Sequence, residues 1–273
     1  MTAAKMPAAT TTADPAADLL YEVRDGIGHA TFNRPAQRNA LTFGMYERLA
    51  EICRQAPTDG TVKAIIITGQ GEKAFAAGTD IAQFRSFSKP EHGIAYEISA
   101  DQHFTAIASC VLPTIAAISG ACTGGGAAIA ACCDLRIATA NMKFGFPIAR
   151  TLGNCLAIKS LARLVALVGE ARVIDMIFTS RLIGAEEALQ IGLISEIVSD
   201  HTALVRRADE LARTIGGNAP LTLRATKQLL ARLRQQGADA DDRDIVGQVY
   251  SSADFREGLD AFLSKRPPQW RGK

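Results

Sequence analysis

The stretch that most constrains this chain is Gly120-Ala-Cys-Thr-Gly-Gly-Gly-Ala-Ala128, set between two apolar runs, Pro113 to Ser119 and Ala127 to Ala131. An apolar run that meets a glycine cluster and resumes as small residues reads as a strand feeding a tightly packed helix. Glycines 124 to 126 permit the positive φ angles of a sharp turn and let a ligand approach the backbone with no Cβ in the way. The first N–H groups of the following helix have no internal acceptor, and the helix dipole places partial positive charge there. A carbonyl oxygen or oxyanion is therefore a favourable guest. Two readings stay open on these residues alone: a glycine turn for close strand-helix packing, or a backbone nest for such a guest. The spacing matches neither Gly-x-Gly-x-x-Gly nor Gly-x-x-x-x-Gly-Lys-Ser/Thr, which disfavours nucleotide phosphate.

Buried strand-like runs recur near Val62, Pro113 and Leu135 with helical material between them, so the economical expectation is a layered α/β core. It opens with a hairpin, Leu19 to Asp25 and Gly28 to Asn33, turning at Asp25-Gly26. Thr42 fits a helix N-cap, with Met45, Leu49, Ile52 and Cys53 on one helical face behind it. Ala74 to Ile81 reads as a short extended piece, a bend at Gly78 and a helix start at Asp80, a second candidate nest. The polar and aromatic residues from Gln83 through His92 show no period and read as a mobile flap, after which Ile94 to Cys110 is helical. Phe144 to Cys155 reads as loop, Leu156 to Val168 as helix, and Gly184 to Val198 as helix, turn and strand. Beyond Asp200 the strands stop. Three apolar stripes (Leu204, Ala208, Leu211, Ile215; Ala225, Leu229, Leu233; Phe255, Leu259, Phe262, Leu263) imply an appendage of helices that needs another apolar surface, the last one capped by Ser251-x-x-Asp254. The expected organisation is a disordered tail at 1–17, a core at 18–200 and a helical region at 201–273.

Composition excludes several classes of function. A net charge of +2 with no extended basic block argues against nucleic acid as a partner. The Ala- and Thr-rich start has neither an apolar h-region nor an arginine run, so no signal or transit peptide is expected. No stretch approaches about eighteen uninterrupted apolar residues, so no membrane span is expected. Six cysteines without a Cys-x-x-Cys pair fit a cytoplasmic protein free of disulfides. Four scattered histidines, with no His-x-x-x-His and no Gly-x-Ser-x-Gly, support neither a metal site nor a hydrolase triad.

Several segments together resemble the crotonase (enoyl-CoA hydratase/isomerase) superfamily over roughly residues 19–268. They are Asn33-Arg-Pro-x-x-x-Asn-Ala-Leu41, Lys73-Ala-Phe-Ala-Ala-Gly-Thr-Asp-Ile81, Ser119-Gly-x-x-x-Gly-Gly-Gly126, Cys133-Asp134, Phe144-Gly-x-Pro147, Ala185-x-Glu-Ala-x-x-x-Gly-Leu193 and Phe262-x-x-Lys265-Arg-Pro-Pro268. The resemblance implies an α/β fold with a ββα-spiral core and a C-terminal helical oligomerisation region, assembled as a homo-trimer or a dimer of trimers. It also implies an acyl-CoA ligand, with the CoA thioester as substrate and no separate cofactor. Its thioester carbonyl would meet the backbone N–H groups of Thr79 and Gly125, with Ala77, Asp80, Ile81 and Gly124 around them. Gln37 and Arg38 would contact CoA, and Phe262 and Lys265 of a neighbouring subunit would close over it. The chemistry needs such donors, because reactions at the α or β carbon of a thioester build negative charge on the carbonyl oxygen.

One departure from the family pattern is decisive for mechanism. Hydratases of the family use two glutamates, and here those positions read Ala128 and Ile148. Neither transfers a proton, a service worth about 10² to 10⁴-fold in rate, so syn hydration by paired glutamates is not expected. Arg150 and Asn154 on the following loop are pocket candidates, for an anionic acyl tail and a water respectively, and Cys155 lies beside them. Glu97, Asp101 and His103 in the flap helix are further groups to weigh, with surface or core roles favoured for each. Two expectations follow: an acyl-CoA lyase or isomerase that stabilises a thioester enolate, or a non-catalytic acyl-CoA binder.

Overall fold

The computed structural model describes residues 14–273. Of the tail expected at 1–17, residues 1–13 lie outside the described residues, and Pro15–Asp18 forms a helical turn (α1) capped by the Asp14 carboxylate. The hairpin follows as β1 (Leu19–Arg24) and β2 (Ile27–Phe32), antiparallel, turning with positive φ at both Asp25 and Gly26. A two-residue turn of this kind matches the right-handed twist of the flanking strands. Thr42 caps α2 (Phe43–Arg54), its hydroxyl accepting the Met45 N–H at 3.2 Å.

β3 (Ala64–Gly69) and the short β4 (Ala74–Ala76) lead into α3 (Pro90–Ala108). Then come β5 (Thr114–Ile118), β6 (Ala121–Thr123), α4 (Gly125–Cys132), β7 (Leu135–Thr139) and β8 (Lys143–Gly145). The segment expected to be loop from Phe144 to Cys155 instead holds the end of β8 and the one-turn α5 (Ile148–Thr151). It is followed by α6 (Ile158–Val168), α7 (Glu170–Phe178), β9 (Ile183–Gly184), α8 (Ala185–Gln190) and β10 (Glu196–Val198). The chain ends in α9 (His201–Gly216), α10 (Pro220–Gln236), α11 (Arg243–Tyr250) and α12 (Ala253–Leu263).

Two sheets result. The larger runs β1-β2-β3-β5-β7-β10 and is parallel from β2 onward; the smaller runs β4-β6-β8-β9 and is parallel through its first three strands. Alternation along β3 divides the core. Ile65 and Ile67 face the main cluster with Phe32, Leu49 and Phe75, while Ala64 and Ile66 face the opposite side. That second side is closed by Leu204, Ala208 and Ala212 of α9. The first helix beyond Asp200 is therefore a layer of the core and not part of an appendage. Its period was legible; its partner, the far face of a sheet already buried on one side, was not. The apolar stripe of α12 does stay open, with Phe262 82% and Leu263 70% exposed. Its cap is Ser252 rather than Ser251, accepting the Phe255 N–H at 3.0 Å. Asp254 instead receives the N–H groups of Arg271 and Gly272, tying the C-terminal residues back to the helix. No helix among the described residues is long and apolar enough to cross a membrane.

Candidate active site

The small sheet builds the site. β4, β6 and β8 are parallel neighbours, so their C-terminal ends lie side by side. Each runs directly into one of the segments singled out in the sequence: β4 into Gly78-Thr79, β6 into Gly124-Gly125, β8 into Phe146-Pro147-Ile148. Open space beyond the carboxyl ends of parallel strands is the usual place for a ligand in α/β proteins. Here it is a cavity of about 280 Å³ lined by all three segments, by Tyr96, Glu97, Ala100 and Phe104 of α3, and by residues 151–160. Three larger cavities, about 410, 350 and 300 Å³, all lie against α10, and none is lined by either glycine bend.

The two bends are held in place by hydrogen bonds to the segments around them. Gly78 has φ +111° and Gly124 φ +52°, and a Cβ added at Gly124 would stand 3.5 Å from the Gly78 Cα, so the bends face each other closely. The loop from Arg34 pins the first bend. Ala77 donates to the Arg38 carbonyl at 3.1 Å, Leu41 to the Gly78 carbonyl at 2.8 Å, and Asp80 to the Leu41 carbonyl at 2.8 Å. Asn39, fully buried, steadies that loop by donating to the Ala74 carbonyl at 2.7 Å and accepting the Arg34 N–H. The second bend is pinned by Gly124 donating to the Gly145 carbonyl at 3.0 Å. Between these anchors, the N–H groups of Thr79 and Gly125 donate to no acceptor among the described residues. Gly125 is the first residue of α4, where helix geometry itself leaves the donor free.

Why glycine is required is a matter of space. A Cβ at Gly125 would fall on the Tyr46 hydroxyl, with the ring Cζ at 2.9 Å and Thr79 Oγ1 at 3.2 Å. A Cβ at Gly126 would meet the Ala76 Cβ at 2.8 Å as well as its carbonyl. Tyr46 belongs to a hydroxyl chain that the sequence did not disclose: its Oη lies 2.9 Å from Thr79 Oγ1, which lies 3.2 Å from Tyr96 Oη. Burial pushes both phenols above their ordinary range, so both stay protonated at neutral pH. Tyr46 is held in place by His103 stacked on one side and Phe104 edge-on. The signal for Tyr46 was its place beside Met45 and Leu49 on the buried face of α2; nothing marked its hydroxyl as the partner of Thr79.

The remaining candidates divide cleanly. Ala77, Gly124, Ile81, Ala128, Ile148 and Asn154 line the cavity with Thr79 and Gly125. Ala128 and Ile148 are each 8% exposed, so the two family glutamate positions are inside the pocket and apolar. Asp80 does not line it: its carboxylate caps the short 3-10 turn through the Ala82 N–H and pairs with Arg34 at 3.1 Å. Arg150 is exposed on α5 and outside the lining. Gln37 and Arg38 lie exposed at the surface, and Phe262 and Lys265 stand on α12 and just beyond it, away from this chain's own cavity. Asp134 is structural, accepting the Thr114 N–H at 2.7 Å and pairing with Lys227. Five cysteines are buried thiols and Cys155 is exposed.

The segment without period, Gln83 through His92, holds the end of a 3-10 turn, Ile81–Phe84, and the first residues of α3. Phe84, Phe87, Tyr96 and Phe43 form an aromatic cluster that seats it. His103 is turned from the cavity and meets Glu47 at 2.8 Å; Asp101 pairs with Lys159 at 2.6 Å and lies 3.6 Å from Arg163. Glu97, in contrast, lines the cavity. Burial raises its carboxyl above the ordinary glutamate range, Asp101 adds to the rise, and the Ala157 N–H opposes it.

Comparison with known proteins agrees with this geometry. The family model described as enoyl-CoA hydratase/isomerase matches residues 22–273. A short-chain-enoyl-CoA hydratase of Clostridium acetobutylicum is 34% identical over 91% of this chain and 95% of its own length. An (E)-benzylidenesuccinyl-CoA hydratase of Thauera aromatica is 33% identical over 92% of this chain and 98% of its own. Among solved structures, an enoyl-CoA hydratase/carnitine racemase from Magnetospirillum magneticum superposes with a TM-score of 0.87 at 31% identity, covering 94% of this chain and 96% of that one. With two free backbone donors over a cavity at the ends of three parallel strands, and a family match across nearly its whole length, this chain belongs to the enoyl-CoA hydratase/isomerase (crotonase) family and has the crotonase fold.

Proposed function

We propose that the protein is a cytoplasmic lyase or isomerase that binds an acyl-CoA with its thioester carbonyl between the N–H groups of Thr79 and Gly125 and stabilises the enolate formed there. The observation that carries this is a pair of backbone donors, unpartnered among the described residues, on two residues that line one cavity. They cost nothing to reorganise when charge develops, and in other enzymes removing one such donor costs about 2.7 to 4 kcal/mol of transition-state stabilisation. The lining around them is mostly apolar, which strengthens each bond to the oxyanion by excluding water. CoA enters as part of the substrate, and the exposed stripe of α12 supports a trimer or dimer of trimers in which Phe262 and Lys265 reach a neighbour's ligand. Arg38 supplies charge for CoA phosphates.

A second reading, a non-catalytic acyl-CoA binder, is favoured by Ala128 and Ile148 alone. Incubation with 2-enoyl-, 3-enoyl- and 3-hydroxyacyl-CoA esters separates the two. Conversion of any of them supports the enzyme; measurable binding without conversion of any supports the binder. In the second case, Ala128→Glu with Ile148→Glu would install hydration in an otherwise inert pocket.

A further inference from the structure

We propose that Glu97 is the proton-transfer group of this cavity, taking a proton from the α-carbon of a bound acyl-CoA and returning it to carbon, so that the reaction is a double-bond shift rather than addition of water. The proposal rests on the cavity being a thioester site. Among the described residues lining that cavity, Glu97 is the one carboxylate, and Tyr96 the one other titratable group. It shares a helix face with Tyr96, Ala100 and Phe104, spaced one and two turns along α3, so it projects from the wall that faces the glycine bends.

No Lys, Arg or His among the described residues lies within ion-pair distance of Glu97. The charges around it are otherwise committed. On its own helix Asp101 is held by Lys159 and Arg163 of α6, and His103 by Glu47 of α2. The Tyr46 hydroxyl of α2 is bonded to Thr79, the loop before α6 offers Asn154 and the Ala157 N–H, and Arg150 of α5 is exposed outside the lining. A half-buried carboxylate without a countercharge costs stability and is the kind of group that persists where it works. Its raised pKa makes it a stronger base when ionised and a usable acid once protonated.

The step balances with this one group. A 3-enoyl thioester loses its α-proton to the Glu97 carboxylate. The electron pair passes into the conjugated system, and its charge rests on the carbonyl oxygen held by Thr79 and Gly125. Glu97, now a carboxylic acid, gives the proton to the γ-carbon, so the double bond moves into conjugation and the carboxylate is restored. Addition of water requires one group to deprotonate water while a proton reaches carbon, and the lining leaves a single carboxyl for both tasks.

The test uses the full-length protein, with Glu97→Gln and Glu97→Asp. Butyryl-CoA binding is measured by calorimetry, exchange of its α-protons in D₂O by NMR, and conversion of 3-hexenoyl-CoA by the absorbance of the conjugated product. The expected result is unchanged butyryl-CoA affinity in all three proteins, with exchange and conversion about 10² to 10⁴-fold slower in Glu97→Gln and partly retained in Glu97→Asp. The wild-type rate should rise through an acidic limb above the ordinary glutamate range, and that limb should vanish in Glu97→Gln. Equal exchange in Glu97→Gln, or no exchange by a wild-type protein that binds butyryl-CoA, overturns the proposal. Faster hydration of crotonyl-CoA than isomerisation of 3-hexenoyl-CoA overturns the double-bond shift. Failure of wild type to bind butyryl-CoA removes the thioester reading itself.

Discussion

Substituting Gly125→Ala puts a methyl group where the Tyr46 hydroxyl stands. The backbone has little room to yield: Gly124 is bonded to the Gly145 carbonyl, and Gly126 has only the space of a hydrogen against Ala76. The ring is equally confined, with His103 stacked at 6.3 Å between centroids and Phe104 edge-on at 5.9 Å. The displacement is therefore shared, and the Gly125 N–H leaves the position where an oxyanion would sit. Losing one such donor is worth about 2.7 to 4 kcal/mol, so kcat should fall about 10² to 10³-fold. Tyr46→Phe removes the obstructing oxygen, after which the nearest ring atom to the new methyl is Cζ at 2.9 Å, still tight but no longer coincident. The double variant should regain about tenfold in kcat over Gly125→Ala, a coupling of about 1.4 kcal/mol in the double-mutant cycle. The assay is kcat and KM on the best acyl-CoA of the panel, with thermal melts to confirm folding. Gly125→Ala at wild-type kcat, or a double variant no faster than the single one, refutes the assignment of Gly125 as a pinned donor.

Other outcomes follow from the same structure. Thr79→Val keeps the backbone N–H but strands the Tyr46 and Tyr96 hydroxyls, each at about 1–3 kcal/mol if left unsatisfied, so melting should fall while kcat changes less than in Gly125→Ala; a variant as stable as wild type contradicts the hydroxyl chain. Leu204→Ala should cost about 2–5 kcal/mol by chemical denaturation, as for a fully buried core leucine, whereas a helix of a loose appendage would lose far less. Arg266 pairs with Glu257 and lowers its pKa from 4.5 to about 2, so the pair's contribution to stability is full above the higher value and disappears as pH falls toward the lower one. Glu257→Gln should flatten that part of the stability-pH curve, and an unchanged curve shows that the pair contributes nothing.

The two glycine bends were legible because backbone geometry leaves marks in composition. A glycine triplet between apolar runs, and Ala-Gly-Thr-Asp after a buried strand, are residues that only a turn with close approach requires. The small sheet was not legible, since β4, β6 and β8 are three residues each, too short to show alternation, and they pair through register rather than pattern. Yet that sheet brings the two bends together. Glu97 was weighed with Asp101 and His103 but given a surface or core role, because it stands at the edge of the stripe that α3 buries, Ala100, His103, Phe104 and Ile107, and the period does not say that a cavity meets that edge. Asp80 goes the other way: the resemblance set it beside the thioester, whereas its side chain caps the following turn through the Ala82 N–H, as its place at a helix start implied, and accepts from Arg34. The last helices carried a readable period but no statement of what they cover, which is why α9 belongs to the core while α12 remains open.

The central claim, that two backbone N–H groups grip a thioester carbonyl, is tested most directly by the carbonyl stretch of butyryl-CoA labelled with ¹³C at the carbonyl carbon, followed by isotope-edited infrared difference spectroscopy. Bound between Thr79 and Gly125, the carbonyl should absorb at lower frequency than in free solution, and the shift should shrink in Gly125→Ala. A ligand that binds with its carbonyl stretch unmoved, or with a shift indifferent to Gly125, contradicts the account.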